Sequence, residues 1–131
     1  MTYEVDKTDG EWRDQLGAER FAVLRRAATE APFTGSLLYV DDTGSYTCAG
    51  CGQRLFTSTQ KFDSHCGWPS FDDCEPGTII ERPDHSIGRS RTEILCSRCG
   101  GHLGHVFDDG PTATGLRYCV NSLAIEFDPT A

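Results

Sequence analysis

The sequence has few positive charges and no long apolar segment. Its 12 Lys and Arg residues are outnumbered by 20 Asp and Glu, which gives a net charge of −8. A protein that binds nucleic acid neutralises phosphates with Lys and Arg, so we expect no nucleic-acid partner. No apolar run approaches the ~20 residues of a membrane helix, and Met1 to Asp6 form an acidic start unlike a signal peptide. We therefore expect a cytoplasmic protein with no membrane partner.

Linkers, low-complexity tracts and long repeats are also missing from the 131 residues. This predicts a single domain over 1–131, with N-terminal helices at about 8–28 and a β core at about 32–128. Thr8 and Glu11 have the spacing of a helix capping box, and Gly17 is expected to separate two short helices. After Pro32, short periodic runs alternate with Gly-rich turns, which is typical of antiparallel β structure. We predict strands at 45–48, 54–56, 77–81, 91–96, 104–107 and 117–125.

Cysteine, in contrast, is abundant, with seven in the chain. In a reducing compartment this number indicates metal binding or redox chemistry before structural disulfides. Two Cys-x-x-Cys-Gly units stand out, because two residues between thiols let both sulfurs reach one tetrahedral ion. The alternative is a pair of thioredoxin-like dithiols, but neither unit lies at the strand-to-helix junction of a βαβ unit. We predict one structural zinc ion per chain, with the ligands Cys48, Cys51, Cys96 and Cys99.

Cys119 lies in a different setting, within the alternating stretch 115–125. Strict alternation puts Arg117, Cys119 and Asn121 on one face of a strand. A cation near sulfur favours the thiolate, which is the form that attacks electrophiles. The local pattern leaves a second interpretation open, a buried cysteine that acts as a small hydrophobe, and for a lone cysteine this is the commoner case.

Several motifs follow one another along the chain: Pro32-Phe33-Thr34-Gly35, the two Cys-x-x-Cys-Gly units, Cys66-Gly67-Trp68-Pro69-Ser70-Phe71, Arg91-Thr92-Glu93, His102-Leu103-Gly104-His105-Val106-Phe107 and Arg117-Tyr118-Cys119-Val120-Asn121-Ser122. In this order they resemble the MsrB type of methionine-R-sulfoxide reductase. The resemblance covers roughly residues 8 to 128.

The resemblance implies a mainly β fold of two antiparallel sheets that face each other, clamped by zinc. It also implies that Cys119 attacks the sulfoxide sulfur and becomes a sulfenic acid, and that Cys66 resolves it as a Cys66–Cys119 disulfide. By the same resemblance, His102 and His105 supply a proton or hydrogen bond to the sulfoxide oxygen, and Asp109 orients these histidines. Arg117 stabilises the Cys119 thiolate, and Asn121 donates a hydrogen bond in the pocket. Trp68 offers an apolar face to the S-methyl group.

The implied partners are oxidised proteins or peptides as substrate and thioredoxin as reductant, and we expect a monomer. Cys74 and His65 depart from the family pattern. The acidic residues around Cys74 disfavour its thiolate, so we expect a bystander rather than a second resolving thiol. Two other classes of function remain open. One is a zinc-ribbon-like binding module without catalysis, and the other is a cysteine hydrolase that pairs Cys119 with His102 or His105.

Overall fold

The structure is a computed structural model that describes residues 3–88 and 90–129. It is mainly β, as predicted, with one helical segment, α1 (Asp9–Arg26), before the strands. In the described residues the strands are β1 (Gly44–Cys48), β2 (Arg54–Thr57), β3 (Lys61–Phe62), β4 (Ser70–Phe71), β5 (Ile79–Asp84), β6 (Arg91–Cys96), β7 (His102–Phe107), β8 (Arg117–Val120) and β9 (Ile125–Pro129). None of the described helices is long and apolar enough to span a membrane.

Two antiparallel sheets form the body. The small sheet has the strand order β2-β1-β9 and the large sheet β3-β4-β8-β7-β6-β5. Aromatic residues join their inner faces: Phe56 of β2 stacks on Phe71 of β4 with ring centroids 4.2 Å apart, and Tyr46 of β1 meets the same ring edge-on at 5.0 Å. All three side chains are fully buried. The expected pair of facing antiparallel sheets is thus confirmed, and the core lies between them.

The N-terminal helical segment begins and breaks where the sequence predicts. Thr8 accepts a hydrogen bond from Glu11 N while the Glu11 side chain accepts one from Thr8 N, which completes the capping box. Gly17 interrupts the helix with φ +80°, a conformation that glycine adopts without steric cost. Trp12, Phe21 and Leu24 on either side of this break are buried against the sheets. The segment therefore consists of two helical pieces, as expected.

The predicted strand at 117–125 is wrong in its second half. β8 ends at Val120, residues Ser122–Ala124 form a 3₁₀ turn, and β9 pairs with β1 in the other sheet. The reason is hydrogen bonding: Asn121 N donates to Leu103 O, and Leu123 N donates to the Glu30 side chain. The turn carries the chain from the large sheet to the small one directly after the candidate nucleophile. β3 and β4 were not predicted, because two-residue strands carry no periodic signal.

Candidate active site and metal centre

The candidate active site is built on one face of the large sheet. Cross-strand pairing places Ser70 opposite Cys119, Cys119 opposite His105, and His105 opposite Glu93. Directly opposite residues of a sheet point to the same face, so these four side chains form a row across β4, β8, β7 and β6. A thiol, an imidazole and a carboxylate are thereby neighbours in space.

Cys66 approaches this row from the loop between β3 and β4. Its Sγ lies 3.4 Å from the Sγ of Cys119 and 3.4 Å from the Oγ of Ser70. The loop is held by hydrogen bonds from Cys66 N to Ser64 Oγ and from His65 N to Asp63 Oδ1. His65 has φ +61°, a strained backbone for a residue with a side chain. A small movement of either sulfur would allow a disulfide between the two thiols.

The two thiols share their charge. The hydrogen bond from Cys119 lowers the pKa of Cys66 to about 4, and further hydrogen bonds from Ser64 and Ser70 act in the same direction. The same bond and burial raise the pKa of Cys119, whereas Arg117 lowers it. The pair therefore holds one thiolate and one thiol at neutral pH, and the two sulfurs that share the proton are 3.4 Å apart.

The two histidines reach the same face because of a bulge. Strict alternation along β7 would put His102 and His105 on opposite faces. Leu103 is an extra residue in the pairing of β6 with β7, where the register shifts, and this brings His102 back to the side of His105. The two rings lie 5.6 Å apart between centroids.

Each histidine has its own carboxylate. His102 Nδ1 lies 2.6 Å from Glu93 Oε2, and His105 Nε2 lies 2.8 Å from Asp84 Oδ2. Burial lowers the pKa of His102, and the hydrogen bond to Glu93 opposes this effect. The hydrogen bond from His105 holds the pKa of Asp84 well below its usual range. His105 lies directly opposite Cys119 in the sheet and His102 does not, so His105 is the better placed proton donor.

Asp109 does not have the predicted partners. Its two carboxylate oxygens accept hydrogen bonds from Arg117 Nε at 2.8 Å and Arg117 Nη2 at 3.1 Å. The histidines are instead bonded by Glu93 and Asp84, since these lie on β6 and β5 in the same sheet. The expected orientation of the histidines by Asp109 is therefore wrong at the level of contacts. Asp109 orients Arg117, whose guanidinium also lies over the Phe107 ring at 4.4 Å.

Trp68 and Asn121 are joined by one residue that the sequence did not single out, Glu30. Trp68 Nε1 donates to Glu30 O at 3.1 Å, and Glu30 N donates to Asn121 Oδ1 at 3.0 Å. Asn121 Nδ2 in turn donates to Leu103 O at 3.1 Å, which fixes the bulge of β7. One amide proton of Asn121 remains for a ligand. Asn121 is thus a structural anchor as well as a wall of the cavity.

A cavity of about 290 Å³ brings these groups together. It is lined by six of the predicted site residues, Cys66, Trp68, His105, Arg117, Cys119 and Asn121, and also by Arg91 and Phe107. The other two predicted residues lie behind it: His102 has its ring beside that of His105, and Asp109 is bonded to Arg117. Apolar rings, a cation, an imidazole and a thiolate surround a space large enough for a small side chain.

Cys74 points away from this cavity. Its thiol donates a hydrogen bond to the Tyr118 hydroxyl at 3.7 Å, and burial raises the pKa of Cys74. Successive residues of a strand face opposite sides, so Tyr118 contacts Cys74 on the side of β8 that Cys119 does not face. The thiol therefore lies on the wrong side of the sheet to resolve an intermediate on Cys119.

The other four cysteines form a separate cluster that joins the two sheets. Cys48 is the last residue of β1 and Cys96 the last of β6, Cys51 and Cys99 lie in the turns that follow, and all four Sγ atoms lie within 4.8 Å of one another. The Sγ–Sγ distances are 3.6 Å for Cys48–Cys99 and 3.5 Å for Cys51–Cys96. Tetrahedral zinc with bonds of about 2.3 Å requires sulfurs about 3.8 Å apart, so the donor set fits zinc. Gly50 N also donates to the Cys48 sulfur at 3.3 Å, as expected for such a knuckle.

The residues missed at the sequence level are Asp84, Glu93, Ser70 and Glu30. Glu93 and Ser70 fall inside motifs of the resemblance, and their pairing with His105 and Cys119 would reveal their roles once the register is known. No local signal marks Asp84 and Glu30 as site residues, because the site residues that they contact, His105 and Asn121, are 21 and 91 positions away in the chain.

Comparison with known proteins identifies the family. The SelR domain family model matches residues 16–129. The chain is 52% identical over 128 residues to the peptide methionine sulfoxide reductase MsrB of Leptospira interrogans, covering 97% of this chain and 98% of the relative. It is 50% identical over 124 residues to the MsrB of Methanosarcina barkeri, covering 94% and 87%.

Among solved structures, the Mis18 'Yippee-like' domain aligns with a TM-score of 0.56 at 16% identity, covering 69% of this chain and 99% of that one. This last likeness concerns the fold alone. The family model and the relatives at half identity decide the assignment: the chain belongs to the SelR-domain family of MsrB peptide methionine sulfoxide reductases.

Proposed function

We propose that this chain reduces methionine-R-sulfoxide in oxidised proteins or peptides to methionine, with Cys119 as the nucleophile. The observation that carries the proposal is the Cys66–Cys119 pair, with sulfurs 3.4 Å apart in the wall of a cavity that also contains Trp68, His105 and Arg117. The R configuration is the one that the family implies. The S-methyl group would pack on the Trp68 ring, which offers an apolar face held by Glu30.

The first step moves oxygen from methionine to Cys119. A sulfoxide sulfur becomes electrophilic when its oxygen accepts a proton or a strong hydrogen bond, and His105 supplies this with Asp84 behind it. Cys119 attacks as a thiolate stabilised by Arg117, its proton passing to the neighbouring Cys66. The methionine S–O bond breaks, a Cys119 S–O bond forms, methionine leaves reduced by two electrons, and Cys119 remains as a sulfenic acid.

The second step forms the disulfide. Cys66 gives up the proton that it took from Cys119, and its thiolate attacks the Cys119 sulfur to form an S–S bond. The S–O bond breaks as that proton, carried by a base such as His105, joins the leaving oxygen, which departs as water. Thioredoxin then supplies two thiols that reopen the disulfide and restore the resting pair. Cys74 takes no part.

Zinc is proposed as the resident metal, one ion held by Cys48, Cys51, Cys96 and Cys99. When bound, it would supply structural cross-linking of the two sheets and no reactive site, since four thiolates complete its tetrahedron. We further propose a single catalytic domain over residues 1–131 that acts as a cytoplasmic monomer.

A rate assay on dabsyl-methionine-R-sulfoxide with dithiothreitol tests the proposal. Wild type and Cys74→Ser are expected to produce dabsyl-methionine at similar rates, and Cys119→Ser none. Absence of activity in wild type, or full activity in Cys119→Ser, would overturn it. The first result would leave a zinc-ribbon-like binding module, and hydrolysis of acyl substrates that depends on Cys119 would favour a cysteine hydrolase.

A further inference from the structure

We propose that Asp84 is a positioning residue that keeps a proton on Nε2 of His105, so that Nδ1 is the ring nitrogen that gives and takes the proton of the reaction. The inference rests on the proposed function and names the atom through which His105 acts. It also assigns a task to Arg91 and Ser86, which hold Asp84 in place.

The contact between Asp84 and His105 decides where the ring carries its proton. Asp84 Oδ2 lies 2.8 Å from His105 Nε2, and the two side chains are only 16% and 10% exposed. The hydrogen bond from His105, followed by those from Ser86, keeps the pKa of Asp84 well below its usual range, so Asp84 is an ionised carboxylate. An ionised carboxylate has no proton to donate and can only accept. Nε2 is therefore the donor, and the neutral ring carries its proton there.

The Asp84 carboxylate is itself fixed, because both of its oxygens accept further hydrogen bonds. Arg91 Nη2 donates to Oδ2, the oxygen that also faces His105, at 3.0 Å, and Ser86 N donates to Oδ1 at 2.9 Å. Arg91 is directly opposite Asp84 in the pairing of β5 with β6. A carboxylate held in this way behind an imidazole selects the tautomer of the ring, as the aspartate of a Ser-His-Asp triad does.

The strand order puts Asp84 and Cys119 on opposite sides of His105. His105 lies on β7, between β8, which carries Cys119, and β6, beyond which β5 carries Asp84. Cys119 is the residue directly opposite His105. The two nitrogens of an imidazole point in nearly opposite directions, so a ring that turns Nε2 towards β5 turns Nδ1 towards β8. Nδ1 is therefore directed towards the cavity that His105 and Cys119 both line.

His102 has the opposite arrangement and shows what it excludes. Its Nδ1 lies 2.6 Å from Glu93 Oε2, so Nε2 is the nitrogen that is left. This Nε2 is buried and has no hydrogen-bond partner within residues 3–88 and 90–129. A nitrogen without accessible surface cannot exchange a proton with a substrate in the cavity. The proton transfers of the reaction therefore fall to His105.

One nitrogen can serve both steps of the proposed reaction. In the first step Nδ1–H of protonated His105 gives its proton to the sulfoxide oxygen, which ends on Cys119 as the sulfenic acid hydroxyl. The ring is then neutral, with its remaining proton on Nε2 and a lone pair on Nδ1. In the second step this lone pair takes the proton from Cys66 and passes it to the oxygen that leaves as water. A neutral ring with its proton on Nδ1 would have no lone pair on the side of the thiols.

Nuclear magnetic resonance of wild type tests the tautomer directly. The chain has four histidines, and the signals of His105 in nitrogen-15-labelled protein are assigned by their loss in His105→Gln. Spectra are recorded as the pH is raised until the ring signals stop changing. We expect the proton of the neutral His105 ring on Nε2 and none on Nδ1. In Asp84→Ala the ring loses its acceptor, and the signals should move to those of a mixture of tautomers.

Single-turnover kinetics without reductant test the consequence. We expect methionine formation in Asp84→Ala to be slower by about tenfold or more, a part of the ~10²–10⁴-fold that a general acid contributes. Alkylation of Cys66 by iodoacetamide needs no acid and should stay within about twofold of wild type. Asp9→Ala is the matched control, because it breaks another Asp–Arg pair, to Arg26 at 2.7 Å on the exposed side of α1, and it should leave both rates as in wild type.

Three results would overturn the inference: a neutral His105 ring with its proton on Nδ1 in wild type, an unchanged rate of methionine formation in Asp84→Ala, or equal losses of methionine formation and Cys66 alkylation in that variant. The last would mean that Asp84 only supports the fold. The tautomer of wild type is measured without substrate, so a wild type that forms no methionine would count against the proposed function and not against the position of the proton.

Discussion

The four-cysteine cluster and the Cys66–Cys119 pair have nearly the same sulfur spacing but different surroundings. Sulfurs lie 3.5 and 3.6 Å apart in the cluster and 3.4 Å apart in the pair. In the cluster four thiols point towards one another. In the pair two thiols lie beside the Arg117 guanidinium and the His105 imidazole and face an open cavity. Spacing therefore does not assign a role to a cysteine. The role follows instead from how many sulfurs converge and from whether an acid, a base and open space lie next to them.

Removing the proposed metal should have the largest effect, and it should act on stability. Cys96→Ser, or chelation of wild type, leaves thiols in the cluster without the ion that links the two sheets. We expect the free energy of unfolding to fall by about 5 kcal/mol or more, a loss seen as a Tm lower by more than about 15 °C. Cys74→Ser is the matched control, with a shift of a few degrees at most. A metal-free protein that melts like the untreated one would contradict the structural role of the cluster.

Cys66→Ser should separate the two steps of the pair. The Cys119 sulfenic acid can still form, so one methionine per chain is expected in the absence of reductant. Turnover with thioredoxin should fall by about two orders of magnitude or more, because no disulfide is available for exchange. Quantifying methionine released in a single turnover and in steady state checks both expectations. Normal thioredoxin turnover in this variant, or a Cys74–Cys119 disulfide in wild type by peptide mapping, would show that Cys66 is not the resolving residue.

The two regions also differ in how far the sequence predicts them. The zinc knuckles are local patterns, since two residues between thiols fix both sulfurs in one turn, and the capping box at Thr8 and the break at Gly17 are local in the same way. The capping box and the break were confirmed, and the four cysteines do converge, while the zinc ion itself stays a prediction. The break after Val120 was missed, because the hydrogen bonds of Asn121 and Leu123 go to Leu103 and Glu30, far away in the chain.

The surroundings of the pair depend on sheet register, which one sequence does not reveal. A bulge at Leu103 decides that His102 and His105 share a face. The same register places Glu93 beside His102 and Asp84 beside His105, while Asp109 accepts a hydrogen bond from Arg117. The family resemblance named most residues of the cavity, but the contacts between them came only from the paired strands.

Ser70→Ala should slow disulfide formation by Cys66 without affecting the four-cysteine cluster. Ser70 is fully buried, and its hydroxyl lies 3.4 Å from the Cys66 sulfur. A hydrogen bond to a charged group contributes about 1.5 kcal/mol. If that contribution is lost, disulfide formation should be about tenfold slower. Rapid-quench measurement of methionine and disulfide should show the second step slowed and the first little changed. Ser45→Ala is the matched control, a buried serine of the small sheet without a described partner, and it should leave both steps as in wild type. Equal rates of disulfide formation in the two variants would remove Ser70 from the mechanism.

The smallest expected effect is the change of Cys66 alkylation with pH, which reports directly on the proton shared by Cys66 and Cys119. A pKa of about 4 for Cys66 means that its thiolate persists at every pH above that value and is lost as the pH falls through it. Alkylation of Cys66 by iodoacetamide should therefore change less than about twofold between pH 6 and 8. Burial raises the pKa of Cys74, so its alkylation should rise about a hundredfold over the same range, as for any thiol below its pKa. Mass spectrometry of the labelled peptides gives both profiles.

Cys119→Ala removes the hydrogen bond that is the main cause of the lowered Cys66 pKa, so Cys66 alkylation in this variant should rise with pH. A flat profile that persists in this variant would mean that the charge at Cys66 does not depend on its partner.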